Sequence, residues 1–222
     1  MRLVIAVVGF AVVLGYLLGG RLRRLEHLRL RWWGLAIGGL GLQFLPLPKG
    51  DAGTDLLVRT GVLAISYLLL LLFTFVNIRL PGVLVIALGL AGNAIVILAN
   101  GSMPVAADAL RDSDQEAIVR LLTDQGSGKH HLMNDDDVLT FLADVIPLPS
   151  PIAQAISAGD VLIYGGLTWL IVWAMRARTP MAGSAGMRPR RGKHRPGAAR
   201  AALAPPPPLP PPPAARTWGS GR

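Results

Sequence analysis

Five long apolar runs limit the folds that this chain can adopt. They cover residues 3–20, 32–45, 60–78, 80–99 and 161–175. A transmembrane helix needs about 20 apolar residues to cross a hydrocarbon core of roughly 30 Å, and three of the runs approach that length. The runs at 32–45 and 161–175 are shorter, and they can cross only with flanking residues or a locally thinned bilayer. The predicted fold class is therefore all-α, a polytopic membrane helix bundle with about five transmembrane helices.

The composition of the chain agrees with this architecture. Hydrophobic residues make up 52% of the 222 residues and charged residues 16%, whereas a soluble domain carries roughly 25% charge. Cysteine is absent, which excludes disulfides, thiolate nucleophiles and cysteine-ligated metals. We predict no cofactor. The net charge of +9 lies beside the apolar runs and near the C-terminus, so the expected partners of the arginine clusters are anionic inner-leaflet lipids, and not nucleic acid.

The distribution of basic residues predicts the orientation in the membrane. Lysine and arginine are retained on the cytoplasmic side. With five spans and the N-terminus outside, sixteen of the 22 basic residues lie inside, in residues 21–31, at Arg79 and after residue 175. The opposite orientation would reverse this bias. We therefore predict an N-out, C-in protein of the bacterial cytoplasmic membrane.

A segment of about 60 residues separates the last two runs. Residues 100–160 are too polar for lipid and too patterned for a plain linker, so they are expected to form a partly folded, partly helical outer loop. Apolar stripes at helical spacing predict short helices at 115–123 and 138–145. Three prolines between residues 147 and 151 predict an extended stretch, and residues 152–156 are expected to form a short turn before the last span.

The C-terminal segment differs from the rest of the chain. Residues 1–178 are predicted to form the transmembrane bundle, and residues 179–222 a disordered, basic, proline-rich cytoplasmic tail that has too few large apolar residues to fold. The run from Pro205 to Pro213 favours a polyproline II helix. This run is either a docking segment for a proline-binding protein or a stiff spacer.

Few polar residues could carry a function. Asn93 lies within the fourth run, where its amide needs a partner on a neighbouring helix, either as a packing contact or as a contact to a substrate. No ionisable residue lies deep in any run, which argues against an ion-coupled transporter. Asp160 is expected to cap the last helix, and Asp137 to cap a helix that begins at Val138.

Two adjacent histidines have metal-ligand chemistry. His130 and His131 precede Asp135, Asp136 and Asp137 on a polar segment. Neighbouring histidines lack the i, i+4 spacing that directs two rings at one ion, and three consecutive aspartates point in different directions. They remain the only candidates, and we predict no metal site from them.

Several stretches together carry a family resemblance. They are GGRLRRLEHLRLRWW at 19–33, LAGNAIVILANGSMPV at 90–105, and DVIPLPSP with SAGDVLIYGG between 144 and 166. In this order they resemble the DUF5317 family of bacterial, mainly actinobacterial, membrane proteins. The resemblance implies a small multi-pass bundle with the NG-MPV and DVIPLP elements at its outer face, and it implies no activity. The chain has Ser102 and Ala143 where the family pattern has glycine. The positions that match the motifs are Asn93, Asn100, Gly101, Met103, Pro104, Asp144, Pro147, Pro149, Ser157, Gly159 and Asp160.

These positions suggest a cap on the outer mouth of the bundle. They either shape the fold only, or bring Asn100, Asp144 and Asp160 together in a small polar site. Three functions remain open. We favour a non-enzymatic scaffold or partner-binding component over a small transporter or channel-like subunit with a wet path past Asn93. The third is an envelope or lipid enzyme with an outer-surface site, in which Asp144, Asp160 or His131 would act as acid, base or metal ligand.

Overall fold

The computed structural model describes residues 2–48, 53–125 and 128–177. The chain divides into two units, residues 1–179 and 180–222. The second unit, with the predicted disordered tail and polyproline run, lies outside the described residues.

The described part of the chain is mostly helical, as predicted. Three of its helices are long and apolar enough to cross a membrane: α3 (Gly53–Val76), α4 (Val83–Asn100) and α7 (Ala158–Arg176). Two further apolar helices, α1 (Arg2–Leu17) and α2 (Trp33–Leu42), are shorter.

Turn residues set the ends of these helices. Gly82 precedes α4 with a φ of 82° and Gly101 follows it with a φ of 75°, a left-handed conformation that glycine adopts without strain.

At the start of α7 the structure corrects the sequence prediction. Ser157, and not Asp160, is the N-cap residue, and Asp160 is the third residue of a capping box. α3 begins seven residues before the predicted span, so it includes Arg59.

The five apolar helices lie side by side. Their principal contacts run in the order α2, α3, α4, α7, α1. The largest interface joins α4 and α7, where two pairs of glycines meet, Gly82 with Gly166 and Gly89 with Gly159. An added Cβ at Gly166 would lie 2.6 Å from the Gly82 carbonyl oxygen, and one at Gly89 would lie 2.4 Å from the Gly159 carbonyl oxygen. Glycine thus allows the two backbones to approach each other closely.

Polar contacts close the end of the bundle that carries the arginines. The Arg24 guanidinium donates to the Met175 carbonyl oxygen at 3.3 Å, so a cation lies at the C-terminus of α7, where the helix dipole favours it. Between α2 and α3, Asn77 accepts from the Arg31 N–H and donates to the Arg31 carbonyl oxygen, both at 2.9 Å. These contacts hold the connection between α1 and α2 against the C-terminal ends of α7 and α3.

The opposite end carries a folded segment, residues 101–125 and 128–157, which we call the cap. It contains two helices, α5 (Ala107–Asp112) and α6 (Glu116–Gln125). Four short strands complete it: β1 (Met103–Val105), β2 (His130–Leu132), β3 (Ile146–Leu148) and β4 (Gln154–Ile156). β1 pairs with β2 in parallel, and β3 with β4 in antiparallel. A small apolar core includes Val105, Leu110 and Val119.

The cap confirms one predicted helix and corrects two other predictions. The helix expected at 115–123 is α6. Residues 138–145 form only a 3₁₀ turn, Thr140–Leu142, followed by an isolated bridge between Asp144 and Val105. Residues 152–156 were expected to form a turn, but residues 154–156 form β4 and pair with the proline-rich strand β3. At residues 138–145, pairing with the distant Val105 outweighs the local apolar periodicity.

Candidate binding site at the junction of cap and bundle

A cavity of about 330 Å³ lies where the cap meets α7. We call it the junction cavity. Its polar lining consists of Gln115, His130, Asp144, Gln154 and Asp160, and its apolar wall comes mainly from α5 and α6. The site therefore combines two carboxyl groups with one imidazole and two carboxamides.

Asp144 is held in this cavity by its own backbone. Its N–H donates to the Pro104 carbonyl oxygen and its carbonyl oxygen accepts from the Ala106 N–H, both at 3.1 Å. The residue is 7% exposed, its Oδ2 atom lies 3.8 Å from His130 Nε2, and its buried Oδ1 atom has no hydrogen-bond partner among the described residues. Burial, and then the charge of Asp160, raise the pKa of the Asp144 carboxyl to about 8. The group is therefore mostly protonated at neutral pH.

Asp160 enters the same cavity from the first turn of α7. Its backbone N–H donates to Ser157 Oγ at 3.0 Å, and its Oδ1 accepts from the Asn93 side chain at 2.9 Å. Ser157 Oγ in turn donates to Asn93 Oδ1 at 2.9 Å. The three residues thus form a closed hydrogen-bonded ring between α4 and α7, completed by the Asp160 backbone N–H, and the ring holds the Asp160 carboxylate in place.

The ring also defines the environment of Asn93. The residue is 4% exposed, and both polar atoms of its carboxamide are bonded to residues at the start of α7. An added Cβ at Gly159 would lie 2.0 Å from Asn93 Oδ1, so only glycine fits beside it. Asn93 therefore bridges two helices behind the junction cavity and does not line it.

Asn100 lies apart from Asp144 and Asp160. Its side chain donates to the Val138 carbonyl oxygen at 3.0 Å and accepts from the Val138 N–H at 2.9 Å, as a neighbouring strand would. A third bond goes to the Val96 carbonyl oxygen at 3.0 Å. Of the three residues of the hypothesised polar site, Asp144 and Asp160 line the junction cavity and Asn100 does not.

His130 and His131 point in opposite directions because they alternate along β2. His130 faces Asp144, whereas His131 contacts Ser102 and Asp137. Asp137, expected to cap a helix, instead accepts from His131 and from the Asn134 N–H. The described part of the chain has no group of three His, Cys, Asp or Glu side chains that could hold a metal ion.

Sequence reasoning missed Ser157 as a member of the polar ring, although a signal was present. Serine three residues before an acidic residue, ahead of an apolar run, is the signature of a capping box. Ser102 had no such signal, because its partner His131 is 29 residues away.

The fold and the site together define a class of protein, a bundle of membrane-type helices with a folded polar cap at one end. The chain belongs to the family of unknown function DUF5317, whose family model matches residues 27–172. The match includes α2 to α6, the cap, the junction cavity and most of α7, and it confirms the resemblance found in the sequence. No curated protein and no solved structure matches the chain.

Proposed function

We propose that the protein is a five-span component of the bacterial cytoplasmic membrane, with its N-terminus and cap outside and its C-terminal end inside. The directions of the helices support this topology. α2 runs antiparallel to α3, α3 to α4 and α4 to α7, and α1 ends beside the C-terminus of α7. The arginines of residues 21–31 then face the anionic inner leaflet.

We propose further that the function is binding of a partner through the cap, and that the junction cavity receives a cationic group. One observation carries this proposal: the carboxyl group of Asp144 is buried beside a cavity, and its Oδ1 atom has no hydrogen-bond partner among the described residues. A buried polar atom without a partner costs about 1–3 kcal/mol. An ammonium or guanidinium group would satisfy that oxygen and would also pair with Asp160.

The chemistry of the cavity sets how such a ligand would bind. The pKa of Asp144 is about 8, so a cation that pairs with its carboxylate displaces a proton at neutral pH. Affinity is therefore expected to rise with pH up to about 8. The cationic group could come from a lysine or arginine side chain of a protein partner or from a small amine, since both offer the same chemistry.

The test compares three forms of the full-length protein in mild detergent: wild type, Asp144→Asn and the control Asp108→Asn. The Asp108 carboxyl is on the surface of the cap, with a side chain 91% exposed. Agmatine, which carries both an ammonium and a guanidinium group, is titrated while the melting temperature is recorded at pH 6 and pH 8. We expect stabilisation of wild type and Asp108→Asn, larger at pH 8, and none of Asp144→Asn.

Native mass spectrometry of the gently extracted proteins separates the two sources of the cation. A defined polypeptide retained by wild type and Asp108→Asn, and lost from Asp144→Asn, identifies a protein partner. A small bound amine with the same dependence on Asp144 identifies a free ligand. Equal responses of all three proteins in both experiments would contradict the proposed function.

A further inference from the structure

We propose that the cap carries a second, hydrolytic site, in which Ser102 is the nucleophile, His131 is the general base and Asp137 orients the imidazole. Ser102 Oγ lies 2.7 Å from His131 Nδ1, and His131 Nε2 lies 2.8 Å from Asp137 Oδ1. A hydroxyl group beside a base that a third group orients is the arrangement that activates a nucleophile.

A single tautomer of His131 satisfies both hydrogen bonds. With the proton on Nε2, the ring donates to the Asp137 carboxylate and its Nδ1 atom accepts from the Ser102 hydroxyl group. The Asp137 side chain is 6% exposed, and its second oxygen accepts from the Asn134 N–H at 2.8 Å. The carboxylate is thus fixed independently of the histidine.

The fold places these residues by regular secondary structure. Ser102 stands between the end of α4 and β1, and His131 lies in β2, which pairs with β1 in parallel. The Met103 N–H donates to the Lys129 carbonyl oxygen at 2.9 Å, so the two segments are joined directly beside the serine and the histidine. The nucleophile therefore stands directly before one strand of a two-stranded sheet, and the base lies in the other strand.

The three residues line a cavity of about 870 Å³, separate from the junction cavity and formed with the ends of α3 and α4. One wall is apolar and includes Leu57 and Leu98, whose exposed fractions are 74% and 47%. Arg59 adds a guanidinium group to the lining. A polar reacting centre beside exposed leucines fits an amphiphile, so the expected substrate class is an ester of a fatty acyl chain.

The reaction is an ester hydrolysis with water as the second reactant. Ser102 Oγ bonds to the carbonyl carbon while its proton passes to His131 Nδ1; the ester C–O bond then breaks, and the departing alcohol takes that proton. Water next attacks the acyl-serine and gives a proton to the same nitrogen. The bond to Ser102 breaks, its oxygen regains the proton, and a carboxylic acid is released.

The test uses the full-length protein in mild detergent and a fluorophosphonate probe, which reacts with activated serines. Three variants accompany the wild type: Ser102→Ala, Asp137→Asn and the control Ser150→Ala at an exposed serine of the cap. We expect labelling of wild type and Ser150→Ala, none of Ser102→Ala, and a rate at least tenfold lower for Asp137→Asn. Hydrolysis of p-nitrophenyl dodecanoate should follow the same order.

Peptide mapping of the labelled wild type makes the result independent of whether a variant folds. An adduct on Ser102 supports the proposal even where Ser102→Ala is lost. For Asp137→Asn, a lower kcat with little change in KM and an unchanged melting temperature indicates that Asp137 acts by positioning His131. Three results would overturn the proposal of a hydrolytic site. They are the absence of an adduct, an adduct on a residue other than Ser102, and equal ester hydrolysis by the wild type and a folded Ser102→Ala protein. Because Asp144 does not line this cavity, failure here leaves the proposed binding function untouched.

Discussion

Asp144 couples the protonation of one carboxyl group to the stability of the fold. Burial and the charge of Asp160 raise its pKa from 3.8 to about 8, so the folded state binds a proton over that interval and the unfolded state does not. Folding stability must then fall as the pH rises from about 4 to about 8, because the unfolded state releases its proton at the lower pH. Above about pH 8 both states are ionised and this dependence ends.

Asp144→Asn is therefore expected to flatten the pH profile of stability. The wild type should lose at most about 1.4 kcal/mol per pH unit through this group, and the variant should lose nothing through it. Thermal unfolding in detergent between pH 5 and pH 9 measures the difference. Asp108→Asn, at an exposed cap position, should follow the wild type. Parallel profiles for wild type and Asp144→Asn would show that the carboxyl is ionised in the folded protein.

Part of this residue-scale picture could be predicted from the sequence. Asp144 and Asp160 belong to two neighbouring short motifs within residues 144–166, so their proximity in the folded protein could be foreseen. The ring that holds Asp160 is less visible, because Asn93 is 67 residues away in sequence and pairs only when α4 meets α7. The Ser102 and His131 pair depends on the register of β1 and β2, which three-residue strands do not reveal.

At the scale of elements, the α4–α7 interface depends on where its glycines lie. Gly165 and Gly166 are adjacent, yet an added Cβ at Gly165 meets nothing within 4 Å, whereas one at Gly166 meets the Gly82 carbonyl oxygen and Ile86. Alanine substitutions at these two adjacent positions therefore change the helix propensity equally and differ only in packing.

Gly166→Ala should destabilise the bundle by about 1–3 kcal/mol, since overpacking forces two backbones apart. Gly165→Ala should be neutral or slightly stabilising, because alanine favours a helix over glycine by up to about 1 kcal/mol. The melting temperature and the yield of folded protein after detergent extraction compare them. Equal effects of the two substitutions would mean that the close approach at Gly82 does not contribute to stability.

Some helices could be predicted from the sequence, whereas the short strands could not. α3, α4 and α7 follow from long apolar runs that end at arginine, proline and the turn at Asn100 and Gly101. The run at 32–45 gave a helix of only ten residues, bounded by Trp32 with a φ of 53° and by the approach of Pro46. The strand pairings were missed because each strand is only three residues long, and because β1 gains its hydrogen bonds from a partner that is distant in sequence.

At the scale of the whole molecule, the orientation can be tested without removing any native reactive group, because the chain contains no cysteine. Single cysteines at Asp112, an exposed residue of the cap, and at Arg29, an exposed residue of the opposite end, report the two sides. In intact cells a membrane-impermeant maleimide should label Asp112→Cys at once and Arg29→Cys only after permeabilisation. The reverse pattern would refute the N-out, C-in topology.

The order α2, α3, α4, α7, α1 was not foreseeable from the sequence. Local patterns locate helices, but they do not determine which helices become neighbours. Here the first helix packs against the last one, through contacts such as Gly15 with Met175. This pairing depends on Gly15 and Gly20, which leave room for the buried Met175 side chain, and it has no local signature.

The same order constrains how the protein is synthesised. α4 leaves the ribosome before α7, and roughly 60 residues of cap separate them. At about 5–20 residues per second, the 67 residues from Asn93 to Asp160 take about 3 to 13 s to synthesise. During this interval the Asn93 amide needs another partner, such as water or the insertion machinery. Biogenesis of the bundle therefore includes a stage in which α4 is made but lacks its partner α7, and the cap is completed before that stage ends.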